Sequence, residues 1–169
     1  MVALWQTPDA VRRWDGGLRS IARSIGMATR IIVADDHTLI REALTKFLQE
    51  QEDMEVVGQA ADGDAVMELT MRLQPDVIIM DVSMPPVLSG LEATRWIRAT
   101  WPGVKVIALS MYAGKRYVSE MLKAGAHAYL LKDADFDELL TAIRAVVEGK
   151  TYVGAGVDAG QAVPWEQSE

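Results

Sequence analysis

No cysteine occurs among the 169 residues, so disulfides, thiolate metal ligands and cysteine nucleophiles are excluded at once. Histidine is scarce too: His37 and His127 are the only two, which leaves little room for a histidine-built zinc centre. No apolar run approaches the ~20 residues that a membrane span requires. The N-terminus has neither a continuous h-region nor an A-x-A-like cleavage pattern, so a cytoplasmic protein is expected. Basic residues number 17 against 24 acidic ones, and the net charge of −7 argues against direct DNA binding by this chain. Half of the residues are hydrophobic, which excludes wholesale disorder, and the length suits one domain with flanking segments.

The charge is unevenly spread. Residues 1–30 carry five arginines against Asp9 and Asp15, a surplus of +3 that leaves −10 for the remainder. Within this leader Val11, Trp14, Leu18, Ile21 and Ile25 recur at helical steps, although Gly16-Gly17 interrupts the pattern. Residues 1–29 therefore read as a basic extension with two open interpretations. One is an amphipathic helix for a membrane surface or a partner. The other is a non-native extension upstream of Met27, which runs directly into the first strand.

From Arg30 a regular alternation begins. Ile31–Ala34, Glu55–Ala60, Val77–Met80, Val104–Leu109 and Ala128–Leu131 are short apolar runs, and each precedes a stretch with helical spacing. Asp62, Ser89 and Asp135 are placed to cap helices, the last two with Glu three residues on; Gly125 is placed to end one. Strands that are apolar throughout imply a parallel sheet covered on both faces. The expectation is a doubly wound, five-stranded parallel α/β fold of (βα)5 type over residues 30–150, with a flexible tail over 151–169.

In an open α/β sheet, ligands bind outside the carboxyl ends of the strands. Here those ends carry Asp35-Asp36, Asp81, Ser110 and Lys132. Three carboxylates brought together repel, and a hard divalent cation relieves that repulsion; magnesium suits an oxygen-only site. Lysine and serine could then hold phosphoryl oxygens, and a charge-compensated aspartate is a competent nucleophile toward phosphorus. Taken singly, each residue has a plainer reading. Asp35-Asp36 could cap a helix, Lys132 could be a surface charge, Ser110 a loop serine, and His37 an exposed helix-start residue. Their joint occurrence at four strand ends favours the chemistry.

These motifs resemble the receiver domain of response regulators in two-component signalling. The resemblance covers residues 30–150 and rests on Asp35-Asp36, Asp81 with Met84-Pro85, Leu109-Ser110 and Leu131-Lys132. The runs Ile32–His37 and Gly125–Ala134 are most similar to the NarL/FixJ (LuxR-like) subfamily, whose fold is CheY-like. The resemblance implies that Asp81 accepts a phosphoryl group from a sensor histidine kinase, and that Mg2+ is held by Asp36, Asp81 and the Ser83 carbonyl, with Asp35 acting through water. It implies further that Lys132 pairs with the phosphoryl oxygens, and that Ser110 and Tyr129 form the switch that changes the face of helix four, strand five and helix five. Side chains at Ser83 and Tyr112 lie where such domains tune the lifetime of the phosphate. Such a protein is not an enzyme on an outside substrate; homodimerisation is left open.

The sequence departs from the family pattern in three places. Four residues, Pro86-Val87-Leu88-Ser89, separate Pro85 from Gly90 where three are usual. Asp133 stands where many receivers have proline. No Lys or Arg follows Lys150, so the subfamily's helix-turn-helix domain is not expected within these residues. Rival readings are a receiver-like docking module that is never phosphorylated, the receiver fragment of a DNA-binding regulator, and a magnesium-dependent phosphatase. The last would need an acid two residues after the nucleophile, where Ser83 stands.

Overall fold

The computed structural model describes residue 21 and residues 25–85 and 88–158. Eleven elements follow in order: β1 (Thr29–Ala34), α1 (Thr38–Gln49), β2 (Met54–Ala60), α2 (Gly63–Leu73), β3 (Val77–Asp81), α3 (Gly90–Thr100), β4 (Lys105–Ser110), α4 (Lys115–Lys123), β5 (Ala128–Leu131), α5 (Phe136–Val147) and β6 (Tyr152–Val153). The strands form one sheet of order β2-β1-β3-β4-β5-β6, and every pairing is parallel.

The two-residue period of a strand sends neighbouring side chains to opposite faces. Ile31 and Val33 of β1, with Val77 and Ile79 of β3, meet Leu44 and Leu48 of α1 and Leu139 and Ile143 of α5. Ile32 and Ala34, with Ile78 and Met80, meet Val66 of α2 and Ala93 and Ile97 of α3 on the other side. A smaller group around Ala108 and Tyr129 receives Val118, Met121 and Leu122 of α4. The sheet is thus covered on both faces, as its uniformly apolar strands require.

Caps fall where the sequence places them. Asp62 accepts the Ala65 N–H, Asp135 accepts the Glu138 N–H, and Ser89 and Glu92 form a reciprocal capping box. Gly125, at φ +106°, ends α4 in a conformation that L side chains rarely adopt.

Two expectations need correction. The sheet has six strands among the described residues rather than five, and the tail does not begin at residue 151. Tyr152 and Val153 pair with Ala128 and Tyr129 at the open edge of β5. The chain beyond them stays attached: Gly154 N–H donates to Tyr129 O, Ala155 N–H to Glu138 Oε1, and Asp158 N–H to Ala113 O. A two-residue strand carries too little periodicity to be read from sequence, and an unpaired parallel edge supplies the reason it forms. Of the leader's helical stripe, Ile21 and Ile25 are exposed; Val11, Trp14 and Leu18 lie outside the described residues, as do Pro86 and Val87 of the lengthened loop and residues 159–169. Among the described residues, no helix is long and apolar enough to cross a membrane.

Candidate functional site

Strand order reverses between β1 and β3: the chain leaves β1 for β2 on one side and returns to β3 on the other. At such a switch point the loops part and leave a crevice above the strand ends. Asp35 directly follows β1, Asp81 is the last residue of β3, Ser110 the last of β4, and Lys132 directly follows β5. The parallel register aligns these ends, with Asp81 opposite Leu109 and Ser110 opposite Leu131.

The geometry brings the charged residues together. Lys132 Nζ lies 2.8 Å from Asp35 Oδ2 and 3.1 Å from Asp81 Oδ2, with its side chain 4% exposed. Asp35 and Asp81 are buried, whereas Asp36 remains partly open to solvent. Asp35 is fixed further by the His37 N–H on Oδ1 at 2.8 Å and by Arg41 Nη1 on its carbonyl at 2.6 Å. Asp81 Oδ1 accepts the Ser83 N–H at 3.1 Å, which folds the loop back over the strand end. Gly90 permits this closeness. A Cβ there would stand 2.0 Å from Asp81 O, so only glycine allows α3 to begin against the end of β3.

The capping interpretation of Asp35-Asp36 does not hold, because α1 has His37 at its N-cap and no side-chain cap bond. The carboxylates face one another instead. Burial, reinforced by the charge of Asp35, pushes Asp81 up from 3.8 to about 6, against the opposing Ser83 N–H and Lys132. Burial also pushes Asp35 upward. There, pairing with Lys132 and the His37 N–H outweigh it and hold the carboxyl below its ordinary value. The same two carboxylates overcome desolvation at Lys132 and keep the ammonium charged.

Three carboxylates facing one ammonium leave two net negative charges. Asp35 Oδ2, Asp36 Oδ1 and Asp81 Oδ2 are buried and receive no well-aligned hydrogen bond; Lys132 answers two of them by charge. This all-oxygen, electron-rich set fits a hard divalent cation.

Ser110 is a backbone neighbour of the cluster, since Lys132 N–H donates to its carbonyl at 2.9 Å. Its hydroxyl accepts the Tyr112 N–H at 3.0 Å. Tyr129 is fully buried and donates its hydroxyl to Tyr112 O at 2.6 Å. Burial pushes the Tyr129 phenol up, partly offset by the Ser110 hydroxyl.

His37 is 61% exposed at the helix start, as expected from its place in the sequence, and its Nδ1 lies 3.0 Å from both Asp35 Oδ1 and Asp36 Oδ1.

Residues 31–144 match the family model described as the response regulator receiver domain. The chain belongs to that family. The oxygen regulatory protein NreC of Staphylococcus haemolyticus is 46% identical over 124 residues, which cover 73% of this chain and 57% of that protein. NreC of Staphylococcus carnosus is 44% identical over the same shares. The receiver thus spans little more than half the length of these curated relatives. Among solved structures, a LuxR-family response regulator from Aurantimonas is 30% identical with a TM-score of 0.73, covering 84% of this chain and 99% of that one. The receiver domain of a NarL response regulator from Mycobacterium tuberculosis is 31% identical with a TM-score of 0.70, covering 73% and 99%. The CheY-like fold and the NarL/LuxR subfamily expected from the motifs are borne out.

Proposed function

We propose that this receiver accepts a phosphoryl group on Asp81 from a sensor histidine kinase, in a reaction that requires Mg2+. The observation that carries the reading is Lys132 Nζ bridging Asp35 and Asp81 beneath a cluster with two uncompensated negative charges. Asp81 supplies the nucleophilic oxygen. It forms a bond to phosphorus as the bond to the donor breaks, and the donor leaves with that electron pair. Asp36, Asp81 and the Ser83 carbonyl would hold the cation, with Asp35 acting through water. When bound, the ion neutralises charge on the phosphoryl oxygens and the carboxylates.

Lys132 is positioned to exchange a carboxylate partner for a phosphoryl oxygen. The Ser110 hydroxyl, held by the Tyr112 N–H, would leave that bond to reach the phosphoryl group. A phosphoryl group adds close to two negative charges and three strong acceptors, so it favours whichever arrangement of Ser110 and Lys132 answers them better. Because Tyr129 is tied to Tyr112 O, movement of Ser110 and its loop is transmitted to the face of α4, β5 and α5. Residues 30–150 form the receiver unit in this reading, completed by β6, and DNA binding would belong to another part of a longer regulator.

Intact-mass measurement after incubation with acetyl phosphate tests the proposal. One phosphoryl group is expected with Mg2+, and none with EDTA or in Asp81→Asn. No gain in wild type would favour a docking module that is never phosphorylated.

A further inference from the structure

Tyr112 links Ser110 to Tyr129 through its backbone. Its N–H donates to the Ser110 hydroxyl at 3.0 Å, and its carbonyl accepts the Tyr129 hydroxyl at 2.6 Å. Its ring has a third partner: it stacks on the Tyr117 ring, with centroids 4.6 Å apart and planes 17° from parallel. Tyr117 stands on the first turn of α4, and Val118 beside it is buried with Met121 and Leu122 in the cluster around Tyr129. The helix is therefore a fixed platform, while Tyr112 rides on a loop. Little else in that loop can grip the helix, since Met111 is 72% exposed, Gly114 has no side chain and no side chain caps α4. Ala113 is tied elsewhere, its carbonyl accepting the Asp158 N–H.

We propose that Tyr117 is a positioning residue for the phosphoryl site: its ring holds Tyr112, and through the Tyr112 N–H it keeps the Ser110 hydroxyl turned away from Asp81. For the hydroxyl to reach a phosphoryl group on Asp81, the bond from the Tyr112 N–H must open and the loop must shift. That shift pulls the Tyr112 ring off its platform. Stack and phosphoryl group thus favour opposite arrangements, and linkage makes each weaken the other. An aromatic pair of this kind biases such an equilibrium roughly 2- to 10-fold. The inference rests on the reading of Ser110 as the hydroxyl that answers the phosphoryl oxygens.

Beryllofluoride, a reversible mimic of a phosphoryl group on aspartate, is titrated in excess Mg2+ against the full chain and its variants. Tyr117→Ala and Tyr117→Leu lose the stack and should bind it roughly 2- to 10-fold more tightly. Tyr117→Phe keeps a flat ring and should match wild type. The Tyr112 and Tyr117 rings are 48% and 42% exposed, so truncating Tyr117 opens no core cavity. In a Ser110→Ala background the gain should vanish, because no hydroxyl remains to be released; a merely structural effect would persist there. The chain has four tyrosines, few enough for ring NMR to follow each, and the Tyr117 signals should move when beryllofluoride binds. Three results overturn the proposal while phosphoryl binding stands: no tightening in either Tyr117→Ala or Tyr117→Leu, an equal gain with Ser110→Ala, or unmoved Tyr117 signals. If wild type takes up no beryllofluoride, the reading of Asp81 fails, and this inference fails with it.

Discussion

Replacing Asp81 should make the metal-free protein more stable. Asp81 is buried, and its carboxyl is pushed up from 3.8 to about 6 by burial and by the neighbouring charge of Asp35. Keeping it ionised in the folded state therefore costs about 3 kcal/mol, at roughly 1.4 kcal/mol per pH unit. Asparagine has the same shape without the charge and can keep the Ser83 N–H contact, while Lys132 retains Asp35. The amide must still find partners, which reduces the gain to about 1–3 kcal/mol. That corresponds to roughly 3–10 °C in Tm for a domain of this size. The sign with pH is fixed. Between 3.8 and about 6 the folded state binds more protons at this position than the unfolded state, so wild type recovers stability from Asp81 as pH falls through that window. The advantage of Asp81→Asn in EDTA should be full at pH 7.5 and smaller by about 1.4 kcal/mol at pH 5. Adding Mg2+ should stabilise wild type more than the variant. Thermal unfolding in EDTA and in Mg2+ at pH 7.5, 6 and 5 measures all of this. A variant less stable than wild type in EDTA at pH 7.5 would refute the reasoning, because the ionised carboxylate would then be a net stabilising partner of Lys132.

Three further outcomes are expected. Gly90→Ala should cost roughly 2–4 kcal/mol in urea unfolding, because its Cβ would press on the Asp81 carbonyl, which is backbone and cannot swing away. Lys132→Met should destabilise the EDTA-treated protein by about 3 kcal/mol through leaving Asp35 and Asp81 unpaired, with partial recovery in Mg2+; equal losses in EDTA and Mg2+ would count against the shared-charge geometry. His127 is depressed from 6.5 to about 3 by burial and by the positive charges of Arg98 and Lys105. The unfolded chain therefore takes up a proton that the folded protein refuses. Stability is lost as pH falls from about 6.5 toward 3, and the difference between wild type and His127→Asn should shrink by about 1 kcal/mol per unit between pH 6 and 4.

Most of the acidic edge was legible because its residues sit where periodicity stops. A strand that is apolar throughout and then breaks into Asp35-Asp36, Asp81 or Lys132 announces both a buried strand and a polar rim. The parallel alternation aligns those rims without any knowledge of tertiary contacts. His37 is the exposed helix start that its sequence neighbours imply; that its ring lies beside the carboxylates depends on the turn between β1 and α1. The partner of the Tyr129 hydroxyl was not legible, because it is the loop after β4 that brings the Tyr112 carbonyl into the interior to accept it. Gly90 reads in sequence as one part of a capping box; that it touches the Asp81 carbonyl depends on the angle between β3 and α3.

The sixth strand changes what lies beside Ser110 and Tyr129. Residues 110–113 carry the Ser110 hydroxyl at one end and the Ala113 carbonyl at the other, and that carbonyl accepts the Asp158 N–H. Tyr129 is held on both sides: its hydroxyl binds Tyr112 O, and its own carbonyl accepts Gly154 N–H. Val157 packs on the small cluster formed by Tyr129 and the buried side chains of α4. The 110–113 loop therefore cannot move toward the carboxylates as an isolated piece. Either the Asp158–Ala113 bond breaks, or the segment after β6 travels with the loop. Each outcome alters the chain directly beyond the receiver unit, so the strap couples the acidic edge to residue 158 through three hydrogen bonds and one apolar contact.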